Sequence, residues 1–308
     1  MLRNDEISSQ NPISLSENKA PLIGLCAIVI LAASKFLPSE LAQKNVFLFI
    51  VAVSFAAFAL PAAVFAVALR KKVDLLFSAP KKGTFRLCFS AAFMLVFSAL
   101  LSRCIICYIN GSSHAPAGTL LSGMGYFEAL FCYTLLPAVL EELIFRGVVF
   151  PVYEKSCGGL CAILASALFF AMSHLSGEDF FLYFISGLIL GAVVYITRSV
   201  FACMALHLVN NFASFYLENS VFRIAAESKS GILAIFLLTA LTLICLFWFL
   251  TALETVCRKR YLSASHEEFS AKRLFHGNIS HSSAFLKVLL SPVLWCAVVI
   301  FSIYLIIL

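Results

Sequence analysis

Charge is what this 308-residue chain has least of. Only 12% of its residues are Asp, Glu, Lys or Arg, about half the proportion usual in soluble domains. Its aspartates are Asp5, Asp74 and Asp179, none deep in an apolar run, so chemistry that needs two membrane-embedded aspartates is excluded. There is no HExxH and no GxSG sequence, which removes a helix-borne zinc pair and a serine nucleophile in a glycine-flanked turn. The stretch 1–19 is polar and mixed in charge, without a short apolar core and small-residue cleavage site. It is not expected to act as a cleaved signal. The 11 cysteines fall mostly inside apolar runs, where a thiol behaves as a small hydrophobe. No disulfide framework is read, and Cys104 and Cys107 form a CxxC without a second pair or a nearby His.

What is abundant is apolar surface. Apolar and aromatic residues make up 62% of the chain, with 31 Phe, and the mean hydropathy is +0.99. Too little polar surface remains to coat a water-soluble particle, so the expected solvent is a lipid bilayer and a nucleic-acid partner is not expected. A crossing helix needs about 20 mostly apolar residues. Nine such runs can be marked, at 21–37, 45–69, 87–108, 126–153, 157–175, 180–197, 199–216, 231–253 and 288–308. The expected fold class is all-α, a polytopic membrane protein with eight or nine transmembrane helices. A polar N-terminal tail at 1–20 precedes a single membrane domain at 21–308. Lys and Arg resist translocation, and they concentrate at 70–86 and 254–287. Nine crossings place both segments, Lys155 and Arg198 inside, while 109–125, without Lys, Arg, Asp or Glu, faces outward. The pattern fits a multi-pass protein of a cell membrane, with a bacterial plasma membrane expected.

Ionisable groups within such runs are costly and are functional candidates by default. They are chiefly Glu128, Glu141, Glu142, Arg146, His174 and His207, with the amide Asn211, and Arg103 and Glu254 near span ends. Glu128 stands near a helix start and can reach the interface. Glu142 and Arg146 are i and i+4, the favourable order for an ion pair. Glu141 is one step round the helix, free to aim into a cavity. An acid beside a second acid, both out of water, is a setting for a general base. Phe170 and His174 form FxxxH, and His207 and Asn211 form HxxxN, each pair one turn apart on a face.

At 1.5 Å of rise per residue, Glu141 stands about 21 Å and His174 about 28 Å from the turn at Lys155. Asn211 and His207 stand about 20 Å and about 14 Å from Arg198. These four can share a layer. The set suits hydrolysis: a base for water, a group to orient it, and donors for an oxyanion. It equally suits a non-catalytic binder or transporter of protons, cations or peptides, or polar contacts that hold helices together.

In this order, Glu-Glu-xxx-Arg, Phe-xxx-His and, after one intervening helix, His-xxx-Asn resemble the CAAX protease and bacteriocin-processing family, also called Abi. Pro137, Phe145-Arg146-Gly147 and the Gly187–Gly191 pair belong to the same likeness, which covers about 126–216. The resemblance implies helices arranged around a polar intramembrane cavity and an intramembrane, metal-independent glutamic-type endopeptidase acting on a peptide or protein substrate, lipidated in some relatives. By carry-over Glu141 activates water, His174 helps position it, His207 and Asn211 stabilise the oxyanion, and Glu142 and Arg146 orient the site. No cofactor is implied. These residue types could ligate zinc, but His174 and His207 lie on separate helices, and no metal is expected.

Overall fold

The computed structural model describes residues 19–69, 76–110, 123–226, 228–263, 286 and 288–307. Most of the polar tail at 1–20, the basic residues Arg70, Lys71, Lys72, Lys272, Arg273 and Lys287, and most of the uncharged stretch 109–125 lie outside them. Every described regular element is helical. In chain order they are α1 (Lys19–Ser34), α2 (Ser39–Lys44), α3 (Val46–Ser54), α4 (Leu60–Leu69), α5 (Phe85–Asn110), α6 (Tyr126–Leu130), α7 (Leu136–Ile144), α8 (Phe150–Cys157), α9 (Gly159–Ser173), α10 (Phe180–Thr197), α11 (Val200–Ala226), α12 (Ser228–Ser263) and α13 (Pro292–Ile307).

Three π turns, Phe55–Ala59, Phe131–Leu135 and Phe145–Val149, join α3 to α4, α6 to α7 and α7 to α8 without a break. Each has the same cause. Pro61, Pro137 and Pro151 follow the three turns at the second residue of the next helix. A proline has no N–H to give and its ring clashes with the carbonyl four residues back, which here is that of Ala57, Tyr133 or Gly147. Widening the helix by one residue relieves that clash. The residue before each proline then bonds five residues back: Leu60 to Phe55, Leu136 to Phe131 and Phe150 to Phe145.

Five segments are long and apolar enough to cross a membrane: Val46–Phe65, Phe85–Ile109, Phe180–Thr197, Val200–Leu217 and Ser230–Lys259. The chain is a multi-pass membrane protein. Each of the nine expected runs contains helix, yet length and composition by themselves qualify five crossings rather than eight or nine. Pro21–Ser34, Gly159–Ser173 and Pro292–Ile307 are apolar but short. At 1.5 Å per residue they reach about 21–24 Å of the roughly 30 Å layer. The run 126–157 is long enough, but it carries Glu128, Glu141, Glu142, Arg146, Glu154 and Lys155.

Small residues set the closest packing. A Cβ on Gly187 of α10 would stand 2.8 Å from the Ala167 Cα, and one on Gly191 would stand 3.2 Å from Ile163 Cγ2, so α9 and α10 approach backbone to backbone. Gly24 of α1 lies under the Phe169 ring in the same manner. Elsewhere bulk fills the gap: Phe85, Phe89, Phe93 and Phe97 form a one-turn ladder along α5, with Trp248 of α12 against Phe89 and Phe93 at 5.7 and 5.9 Å.

One end of the bundle is tied together by polar contacts. Arg198 pairs with Glu154, its carbonyl accepts from Ser78 Oγ, and the Lys81 N–H donates to the Thr197 carbonyl. Lys81, Lys155 and Arg198 therefore gather at the same end, as the charge distribution led one to expect. At the other end, Arg103 pairs with Asp179 at 2.9 Å, and Tyr126 and Tyr216 join hydroxyl to hydroxyl.

Candidate active site

The acidic helix reaches the middle of the bundle between two of its π turns. Glu142 and Arg146 are fully buried, and Glu141 is nearly so at 7% exposure. Burial of a charge without a partner is prohibitive, and the i, i+4 spacing supplies the partner. Arg146 Nη1 donates to Glu142 Oε1 at 2.7 Å. The same guanidinium reaches the Gly187 carbonyl through Nη2 at 3.2 Å and lies 4.5 Å above the Phe170 ring centroid. Arg146 thus fastens the acidic helix to α10 and to α9 at once. Glu128 acts locally, its Oε2 accepting the Gly125 N–H at 2.8 Å and so capping its own helix.

His207 enters from α11 and turns Nδ1 to Glu142 Oε1 at 3.0 Å. A carboxylate paired with a guanidinium only accepts, so Nδ1 carries the proton. That contact bridges 65 residues and joins His207 to the ion pair. Asn211, one turn further on, directs Nδ2 to the Thr134 carbonyl at 3.5 Å, inside the second π turn.

His174 sits just past the end of α9. Its Nδ1 lies 2.8 Å from the Phe170 carbonyl, which can only accept, so the ring carries its proton on Nδ1 and the neutral form offers a lone pair on Nε2. Nε2 faces Glu141 Oε2 at 3.6 Å, too long for a direct hydrogen bond. Glu141 Oε2 is buried and has no hydrogen-bond partner. Phe170 is the hub of this arrangement: its ring meets His174 at 4.8 Å, His207 at 5.7 Å and Phe145 at 5.6 Å.

Glu141, His174, His207 and Asn211 line one cavity of about 350 Å³. Glu142 and Arg146 stand behind its wall. The lining also includes the apolar Leu31, Phe58, Leu95, Leu182 and Leu190, and Arg103 is the cation among the lining residues. Among the described residues no three of His, Cys, Asp and Glu form a group that could hold a metal ion. The geometry offers a carboxylate oxygen and an imidazole lone pair facing one point, with an amide and a second imidazole on the same cavity wall.

Two features escaped motif reading. Tyr183 of α10 stacks on His174, with ring centroids 3.5 Å apart and planes 20° from parallel. Asn210 also lines the cavity, its Oδ1 buried and without a partner. Tyr183 had a usable signal: it stands one turn before Gly187, on the face that the Gly187–Gly191 spacing turns toward α9.

Residues 124–213 match the family described as Rce1-like, Type II CAAX prenyl endopeptidase Rce1-like. The matched stretch runs from the start of the acidic helix through α9 and α10 into α11, and it agrees with the resemblance carried by the three motifs. No curated protein and no solved structure matches the chain.

Proposed function

We propose that this protein is an intramembrane endopeptidase of glutamic type, hydrolysing a peptide bond of a membrane-associated substrate with water activated by Glu141. The observation that carries the reading is the Glu141 carboxylate on the cavity lining, with its Oε2 unpartnered and 3.6 Å from His174 Nε2. Two acceptors that far apart suit one water molecule donating a hydrogen to each, which turns the oxygen lone pair outward. As that oxygen bonds to the substrate carbonyl carbon, Glu141 takes the proton. Negative charge develops on the carbonyl oxygen, where Asn211 Nδ2 and, in its protonated form, His207 Nε2 donate to it. Collapse of the tetrahedral intermediate breaks the C–N bond, and the proton held by Glu141 passes to the leaving amine. Glu142 and Arg146 do no chemistry; they hold His207 by Nδ1 and the acidic helix against α10.

The match at 124–213 supports the same reaction class, and the apolar residues of the lining suit a substrate carrying a lipid chain. The gathering of Lys81, Lys155 and Arg198 at one end supports nine crossings with that end in the cytosol. The test is cleavage, in detergent or liposomes, of a farnesylated peptide ending in a CAAX box, together with comparison of peptide termini in cells expressing wild type and Glu141→Gln. Wild type should generate new termini. Glu141→Gln should generate none at equal expression, and cleavage by that variant at the wild-type rate would remove Glu141 as the base.

A further inference from the structure

His174 lies just outside the regular part of α9. It caps α9, its N–H bonds to the Ala171 carbonyl at 3.3 Å, and Leu175 after it turns to a φ of 52°. The turn before it holds the imidazole from one side only, by the Phe170 carbonyl on Nδ1 and by the Phe170 ring. We infer that Tyr183 of α10 supplies the second restraint and is a positioning residue for His174. This rests on the role given to His174 above.

The Tyr183 ring lies against the imidazole at a centroid distance of 3.5 Å and 20°, while Phe170 meets the same imidazole edge-on at 4.8 Å and 61°. Phe170 and Tyr183 also touch at 6.5 Å. With Nδ1 bound to the Phe170 carbonyl at 2.8 Å, sliding and tilting of the imidazole are both blocked, and Nε2 stays directed at Glu141. The tyrosine reaches this position because glycine at 187 and 191 lets α10 lie directly on α9. Its ring is what the stack uses, so phenylalanine at this position should serve as well as tyrosine.

Loss of the ring should misplace Nε2 by a fraction of an ångström or more, and misplacement of that order lowers turnover by about 10- to 100-fold. Cleavage of the farnesylated CAAX peptide should therefore show kcat reduced in Tyr183→Leu and Tyr183→Ala, with KM within about threefold of wild type, and Tyr183→Phe should restore kcat. In parallel, carbethoxylation by diethylpyrocarbonate, read by mass spectrometry, reports the imidazole without any substrate. His174 should react several times faster in Tyr183→Ala than in wild type or Tyr183→Phe, and His207, held by Glu142, should react at its wild-type rate. Unchanged His174 reactivity in Tyr183→Ala overturns the proposal, as does a change confined to KM. Absent cleavage by wild type, or undiminished cleavage by Glu141→Gln, counts instead against the peptidase reading, and the carbethoxylation comparison then decides the role of Tyr183.

Discussion

Replacing Arg146 by methionine removes a positive charge from a place where no water can substitute for it. Arg146 and Glu142 are both 0% exposed, and the variant leaves the Glu142 carboxylate facing only His207 Nδ1. It also forfeits the bond to the Gly187 carbonyl and the stacking of the guanidinium over Phe170. Methionine fills most of the volume of the lost stem, so little of the effect comes from a cavity. Breaking one side of a buried ion pair costs about 3–5 kcal/mol, because the other charge remains buried without its partner. Adding Glu142→Gln to Arg146→Met removes that orphaned charge while leaving an amide oxygen for His207. The double variant should then be more stable than the sum of the two single losses implies, by a coupling of about 2 kcal/mol or more. Unfolding in mixed micelles by titration with sodium dodecyl sulfate, followed through helical circular dichroism, measures all four proteins of the cycle. An Arg146→Met loss below about 1 kcal/mol would refute the buried pair as a structural element, and strictly additive losses would show that the two residues act separately.

The other expectations follow from the same packing. Gly187→Ala drives a Cβ to within 2.8 Å of the Ala167 backbone, which cannot swing aside. Its overpacking cost of about 1–3 kcal/mol should match or exceed the roughly 1 kcal/mol that alanine gains over glycine in a helix, lowering the thermal midpoint in detergent; Gly191→Ala, opposed first by the Ile163 side chain at 3.2 Å, should be milder. Arg198→Gly relieves a non-glycine φ of 57° at the end of α10, worth about 1 kcal/mol, and loses a partly exposed pair with Glu154 worth about 0.2–1 kcal/mol. The same unfolding assay should find this variant within about 1 kcal/mol of wild type.

Much of the bilayer-embedded character and part of the site were legible in the residues alone. Low charge and long apolar runs require lipid, because no fold of this composition can cover itself with polar groups. The spacing of Glu142 and Arg146 dictates their pairing, since i and i+4 share a helix face whatever surrounds them. Rise along a helix placed Glu141, His174, His207 and Asn211 at comparable heights, and all four line the same cavity.

Height is not azimuth. Which imidazole meets which carboxylate depends on how helices are rotated and how closely they pack, and those quantities belong to contacts between residues far apart in sequence. His207 pairs with Glu142 rather than standing beside Asn211 alone, and His174 lies past the end of α9 instead of within it. Tyr183 covers it only because α10 rests on α9 through Gly187 and Gly191. Local periodicity determines a residue's face and level on its own helix. The partner that face meets is chosen by the shape of the neighbouring helix, and only the assembled bundle contains that information.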